Sequence, residues 1–376
     1  MLKQALIAAV VGVLAACATP VQGNVVGQVE TKPDLARVAP LPKEPERPPA
    51  PASVTDPGLP LDTRIDNFVA YAQRDYGADP QRVRDVLAQA EKKQSILDAM
   101  SRPAEKVRSW ADYRPIFMTD ARIGGGREFY LQHRDALERV SLDTGVPAEY
   151  IVAIIGVETS YGRITGSYRV LDALYTLAFH YPKRAPFFAA ELANLFALSG
   201  EEGLAMTDLK GSYAGAMGWG QFMPSSYRIW GRDGDGDGVR DLLNDTDDIF
   251  ASIANYFVAH GWQRGAPVVA RADRRADAED LDIGLAPSRT LAQLAALGYT
   301  PREGEPTVPA TQQATLVTLQ GAEGREDWIG YRNFYVITRY NHSPMYALAV
   351  HQLARAIRDG VTPGIGAAPG AASDGA

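Results

Sequence analysis

Pro147-Ala-Glu-Tyr-Ile-Val-Ala-Ile-Ile-Gly-Val-Glu158-Thr-Ser-Tyr-Gly162 is the stretch from which the fold is read. Proline suits the first turn of a helix, where its missing N–H costs nothing, and glycine suits the stop, so the spacing predicts a helix over 147–161. Ile151, Ile154, Ile155 and Glu158 recur at i, i+3, i+4 and i+7, which puts a carboxyl group on the core-facing stripe. Apolar surroundings disfavour a charged carboxylate, and an acid that keeps its proton near neutral pH can protonate a leaving oxygen. Glu158 is therefore a candidate general acid. The alternative is structural: a helix-end carboxylate paired with Arg163 or Lys210, or turned to water.

Outward from this helix the apolar periodicity predicts further helices over 61–76, 80–90, 127–144, 170–180, 186–198, 247–260 and 344–358. Between about 267 and 337, short β-like runs (268–271, 314–319, 334–337) surround one helical patch at 291–297. The fold class is mainly α (α+β), a helical body over 62–358 with a small strand-containing insert. A chain of 376 residues, 46% hydrophobic, can bury a sizeable core, and a net charge of −7 gives no footprint for nucleic acid.

The N-terminus carries Lys3, an apolar run over 5–16 and then Cys17, the only cysteine in the chain. The run is shorter than the ~20 apolar residues of a spanning helix and has the layout of a signal peptide. Leu14-Ala15-Ala16-Cys17 resembles a bacterial lipobox, which implies cleavage before Cys17 and acylation of that residue, hence an attachment to a lipid membrane. Residues 18–61 are proline-rich and read as an extended tether; residues 359–376 are Gly/Ala-rich and read as a disordered tail.

Gly156-Val-Glu158-Thr-Ser-Tyr-Gly162-Arg163, with Leu171-Asp-Ala-Leu174 and Tyr181-Pro182, resembles the catalytic helix of the membrane-bound lytic murein transglycosylase B family. A second block, Leu209-Lys-Gly211-Ser212-Tyr-Ala-Gly215-Ala-Met-Gly218-Trp-Gly220-Gln221-Phe-Met-Pro224, resembles the same family, and its four glycines are expected to let backbone approach a ligand closely. The resemblance runs, with gaps, from about residue 61 to 356. It implies a lysozyme-like core with an additional helical subdomain and one catalytic glutamate, Glu158. It also implies Ser212 near that carboxyl, Gln221 on the acetamido groups of the sugar, and Tyr113, Tyr256, Tyr340, Asn341 and Tyr346 along a glycan groove. Flat apolar rings and amides suit the faces and rims of sugars, although each tyrosine could equally be a core aromatic.

The implied reaction is cleavage of the N-acetylmuramic acid–N-acetylglucosamine bond with formation of a 1,6-anhydromuramoyl end. An intramolecular C6 hydroxyl attack reaches effective molarities of ~10⁵ M or more, so it dispenses with the second carboxylate of ordinary glycosidases. Two alternatives stay open at this stage: a hydrolytic muramidase of the same fold, and a non-catalytic anchored peptidoglycan-binding protein. The resemblance sets the chain on the periplasmic face of the outer membrane of a Gram-negative bacterium. Its partners there would be peptidoglycan strands and, at a further remove, proteins of cell-wall synthesis or division.

Asp233-Gly-Asp235-Gly-Asp237-Gly-Val239-Arg-Asp241-Leu-Leu-Asn244 follows the EF-hand loop at positions 1, 3, 5, 6 and 9, with the Val239 carbonyl at position 7. Position 12 departs from it, since Asn244 stands where a bidentate Glu is required, and Asp245 or Asp247 could substitute only in a shifted loop. The family resemblance implies a structural Ca²⁺ here; an acidic turn without metal is the alternative. No cofactor is needed for the chemistry. The five histidines are scattered without metal-ligand spacing.

Overall fold

The computed structural model describes residues 41–43, 45–101 and 108–361. The signal segment with Cys17, most of the proline-rich stretch and residues 362–376 lie outside the described residues. The final helix, Pro344–Val361, continues past the expected start of the tail at 359.

The helix read first spans Ala148–Thr159 and stops where Ser160 turns left-handed (φ 51°, ψ 49°). Ala148 and the whole run from Tyr150 to Gly156 are buried, so the helix is enclosed on all sides rather than along one stripe. Helices Asp120–Gln132, Arg134–Thr144, Thr246–Ala259 and Pro344–Val361 pack around it. A second helical layer pairs Val170–His180 with Ala185–Glu201. Leu61–Tyr76 lies across it and sends the buried Arg64 Nη1 to the Phe179 carbonyl (2.9 Å).

The single helix expected over 127–144 is two. Asp120–Gln132 ends at His133 (φ −110°, ψ 20°), whose ring packs on Phe129 (4.5 Å between centroids), and Arg134–Thr144 starts afresh. The first of these runs through Gly124-Gly125-Gly126, a stretch of poor helix propensity. Packing overrides propensity here: a Cβ on Gly126 would stand 2.5 Å from Tyr161 Oη and 2.6 Å from Ile357 Cδ1.

The tether boundary drawn at residue 61 also moves. Ala50 and Val54 are buried, Ala52–Thr55 is a short helix, and the Ala50 N–H donates to Pro186 O (2.9 Å). Arg47 lies over the Trp230 ring, 5.2 Å from its centroid. The small apolar side chains among the prolines seat this segment on the helical body.

Two short strands, β1 (Tyr168–Arg169) and β2 (Lys210–Gly211), pair antiparallel and tie the segment after Glu158 to the glycine-rich block. The insert is an antiparallel sheet of β3 (Val269–Arg274), β4 (Arg289–Thr290), β5 (Tyr299–Pro301), β6 (Gln313–Gly321) and β7 (Gly324–Gly330), in the order β4-β6-β7-β3-β5. Helix Leu291–Ala296 begins on a Thr290/Gln293 capping box. Leu294, Tyr299, Leu316, Ile329 and Tyr331 form part of a separate small core. The third β-like run, 334–337, is not a strand but part of helix Arg332–Tyr340. Its apolar residues fill the main core, while fully buried Asn333 donates to the Gln263 and Ala266 carbonyls and accepts the Gln263 N–H.

Candidate active site

Glu158 sits on the last turn of its helix, half-buried, and Tyr346 Oη donates to its Oε1 at 2.6 Å. Tyr346 is 2% exposed and comes from the first turn of the final helix. Burial first, and then the Glu158 charge, hold the Tyr346 and Tyr340 phenols well above their ordinary range, so both remain donors. Arg163, a candidate structural partner for Glu158, donates instead to the Ser160 carbonyl (2.9 Å).

The backbone after Glu158 is held in an unusual path. Ser160 (φ 51°), Tyr161 (φ 65°) and Gly162 (φ 76°) are left-handed in succession, a conformation that costs free energy in two non-glycine residues. Surrounding bonds enforce it: Tyr161 Oη donates to Arg122 O (2.6 Å), and Thr159 Oγ1 accepts the Gly162 N–H (3.0 Å). Thr159 Oγ1 also donates to Trp219 O (2.9 Å), coupling the end of the glutamate helix to the glycine-rich block. A Cβ on Gly162 would stand 2.6 Å from the Trp219 ring. Thr159 and Tyr161 were not singled out from sequence, although both lie inside the motif that contains Glu158.

The glycine-rich block folds back on itself through Met217, which bridges Gly211 and Phe222. Ser212 Oγ accepts the Ala214 (3.3 Å) and Ala216 (3.0 Å) N–H groups, so its hydroxyl closes its own loop and keeps its proton for donation. Gln221, itself left-handed (φ 51°), donates its Nε2 to the Thr165 and Gly218 carbonyls (3.0 Å each), which fixes the orientation of its amide. The glycines were expected to admit a ligand; they admit protein instead. A Cβ on Gly220 would stand 2.8 Å from Tyr340 Oη, and one on Gly218 would stand 2.3 Å from Leu242 O.

Tyr340 donates to Gly220 O (2.7 Å), and Tyr256 donates to Arg339 O (2.5 Å). The Tyr256 ring is packed between Trp230 (4.7 Å), His260 (4.0 Å) and Tyr340 (4.8 Å), so it supports the site from behind. Tyr113, 5% exposed, packs on Phe117 and lies near enough to influence the Tyr346 phenol. Asn341 ends helix Arg332–Tyr340 in extended backbone, and its carbonyl accepts the Ser343 N–H (2.7 Å).

The acidic loop closes differently from its EF-hand reading. Carboxylate oxygens of Asp233, Asp235 and Asp248 lie within 4.8 Å of one another. Asn244 turns away and donates Nδ2 to Asp241 Oδ2 (3.0 Å), while Asp245 caps helix Thr246–Ala259. Asp248, four residues after Asn244, brings the third carboxylate to this cluster. That side chain is buried, and its oxygens accept the Gly234 and Asp241 N–H groups (2.6 Å each). Burial raises the Asp248 carboxyl above the usual range, whereas the Gly238 N–H, followed by that of Gly236, lowers Asp233. Asp237 Oδ1 accepts the Val239 N–H (2.8 Å) and shapes the turn. Helical periodicity alone places Asp248 in the first turn of a helix, with nothing to mark it as turned back toward Asp233.

A glutamate at the end of a buried helix, facing tyrosines and a looped glycine-rich block within a helical core, defines a lysozyme-like enzyme that acts on glycans. Residues 61–355 match the family described as the transglycosylase SLT domain. The chain belongs to that family and is a lytic murein transglycosylase. It is 42% identical over 299 residues to membrane-bound lytic murein transglycosylase B of Escherichia coli (strain K12), covering 77% of this chain and 81% of that protein. A solved structure of the E. coli lytic transglycosylase Slt35 in complex with calcium superposes with a TM-score of 0.72 at 42% identity, covering 79% of this chain and 93% of the other. SltB3 of Pseudomonas aeruginosa in complex with NAG-anhNAM-pentapeptide superposes with a TM-score of 0.70 at 29% identity, covering 80% of each chain.

Proposed function

We propose that Glu158 is both the acid and the base with which this enzyme converts peptidoglycan strands to products with 1,6-anhydromuramoyl ends. The observation that carries the reading is the 2.6 Å bond from Tyr346 to Glu158 Oε1, which orients the half-buried carboxyl group at the end of its enclosed helix. Glu158 gives its proton to the oxygen linking N-acetylmuramic acid to N-acetylglucosamine, and the C1–O bond breaks. The muramoyl C6 hydroxyl oxygen then bonds to C1, and its proton returns to Glu158, regenerating the acid. Because the nucleophile is part of the same sugar, no activated water is needed. Ser212 and Gln221 offer the glycan a donor and an acceptor; Tyr113, Tyr340, Asn341 and Tyr346 line its path, and Tyr256 backs them. The P. aeruginosa relative bound to NAG-anhNAM-pentapeptide supports the anhydro product.

Asp233, Asp235 and Asp248 fit a hard divalent cation, since Ca²⁺ accepts oxygens at about 2.3–2.6 Å and a 4.8 Å cluster brackets it. The calcium complex of the E. coli relative supports this choice. Bound there, the cation supplies charge neutralisation and no chemistry at the bond that breaks. Leu242 backs Gly218, and Gly218 O holds Gln221, so the loop braces the sugar-binding amide. Acylated Cys17 would fix the enzyme to the periplasmic face of the outer membrane, in keeping with the membrane-bound E. coli relative.

The experiment is digestion of purified sacculi followed by mass spectrometry. Wild-type enzyme releases anhydromuropeptides, and Glu158→Gln lowers the rate by about 10²–10⁴-fold. Reducing ends instead of anhydro ends would overturn the intramolecular step, and an unchanged rate for the variant would overturn the role of Glu158.

A further inference from the structure

A cleft of about 620 Å³ lies between helix Trp110–Phe117 and the strand insert, outside the catalytic constellation. Its walls come from Trp110 and Arg114 on that helix, Arg271 and Trp328 on the sheet, and Arg302 and Glu305 beyond β5. Among the described residues the buried Trp110 Nε1–H has no hydrogen-bond partner, an unsatisfied donor at the wall. Arg114 is bonded to the neutral Gln352 Oε1 (2.6 Å) rather than to a carboxylate. The Arg271 guanidinium lies 4.8 Å from the Trp328 ring centroid. Arg271 is ion-paired with Glu326 and Arg302 with Asp273 (3.1 Å), while Glu305 and Glu323 add carboxylates to the wall. Such a site, with guanidinium groups, carboxylates and an indole face side by side, suits a ligand that carries carboxylates, amide carbonyls and an amino group together.

Two elements run from this cleft to the catalytic carboxylate. Tyr113, which acts on the Tyr346 phenol, precedes Arg114 on the same helix. Gln352 follows Tyr346 on the final helix, six residues or ~9 Å further along at 1.5 Å per residue. An extended peptide of three to five residues spans roughly 10–17 Å, enough to bridge that interval. We infer that this cleft is a docking site for the stem peptide carried by the muramoyl residue whose bond is broken, with Arg114, bonded to an amide oxygen, and Arg302, paired at the surface, taking its carboxylates and Glu305 its amino group. The inference rests on the glycan-cleaving reading of Glu158.

The test compares peptide-bearing glycan strands with strands stripped of their peptides by an amidase, using the full chain and three variants: Arg302→Glu, Glu305→Lys and Trp328→Ala. Among the described residues the Arg302 side chain pairs with exposed Asp273 alone, so Arg302→Glu is expected to fold should Trp328→Ala not fold. On peptide-bearing strands the variants raise KM by about tenfold with kcat little changed, and on stripped strands they match wild type. Equal effects on both substrates, or wild-type behaviour of the charge variants on both, would overturn the docking site. Absence of anhydro product from wild type on either substrate would instead overturn the reading of Glu158, so the two failures are distinguishable.

Discussion

The Tyr346 hydroxyl reaches Glu158 across 188 positions of sequence to donate at 2.6 Å. A hydrogen bond to a charged group contributes ~1.5–3 kcal/mol, and here it orients the acid. Tyr346→Phe is expected to lower kcat by about 10–100-fold with little change in KM, since the ring and its packing remain. Steady-state release of anhydromuropeptides measures this. An unchanged kcat would remove Tyr346 from the positioning of the acid.

The second prediction separates Asp248 from Asn244. Calcium at 100 times its Kd should stabilise the native chain by ~2.7 kcal/mol, seen as a higher Tm that chelator reverses. Asp248→Asn abolishes that increment, because one of the three clustered carboxylates is gone. Asn244→Ala keeps it, because Asn244 faces Asp241. A calcium shift lost in Asn244→Ala and retained in Asp248→Asn would restore the EF-hand reading.

Two neighbouring glycines should respond in opposite directions. Gly124 is exposed with nothing within 4 Å of an added Cβ, so Gly124→Ala is expected to stabilise the helix by roughly 0.5–1 kcal/mol. At Gly126 the same methyl meets Tyr161 Oη and Ile357, and Gly126→Ala should destabilise by about 1–3 kcal/mol. It should also reduce activity, because Tyr161 holds the turn after Glu158. Urea denaturation of both variants decides the sign.

How much of this was legible beforehand varies with the type of signal. The glutamate helix, its limits and the strand insert were readable because period and breakers are local properties. The triple-glycine helix and helix Arg332–Tyr340 were not, because each is decided by partners far away in sequence: Tyr161 and Ile357 for the first, Gln263 and Ala266 for the second. The motif around Glu158 pointed to the carboxylate, whereas the function of Thr159 depends on Trp219 O, sixty positions further on. Asp248 escaped for the same reason, since its link to Gly234 exists only once the loop has closed.

The fourth prediction concerns acid. His351 is buried against Tyr150 Oη (2.7 Å), and burial pushes its imidazole down to about 3 from an ordinary 6.5. As pH falls from 6.5 towards 3 the unfolded chain binds a proton that the native chain refuses, so this group's contribution to stability is lost across that window. The slope is ~1.4 kcal/mol per pH unit. His351→Gln should flatten the acid side of a Tm-against-pH curve. An unchanged curve would show that His351 titrates normally.

The route by which Tyr346 meets Glu158 also bears on how the enzyme comes into being. Synthesis delivers the carboxylate early and its phenol almost two hundred residues later, and contacts of such sequence separation form late in folding. A nascent or truncated chain ending before Pro344 carries the acid without the group that aims it. Such a chain also lacks the final helix that packs against the glutamate helix, so the aim of the carboxyl group and the closing of the core around it arrive with the same C-terminal segment.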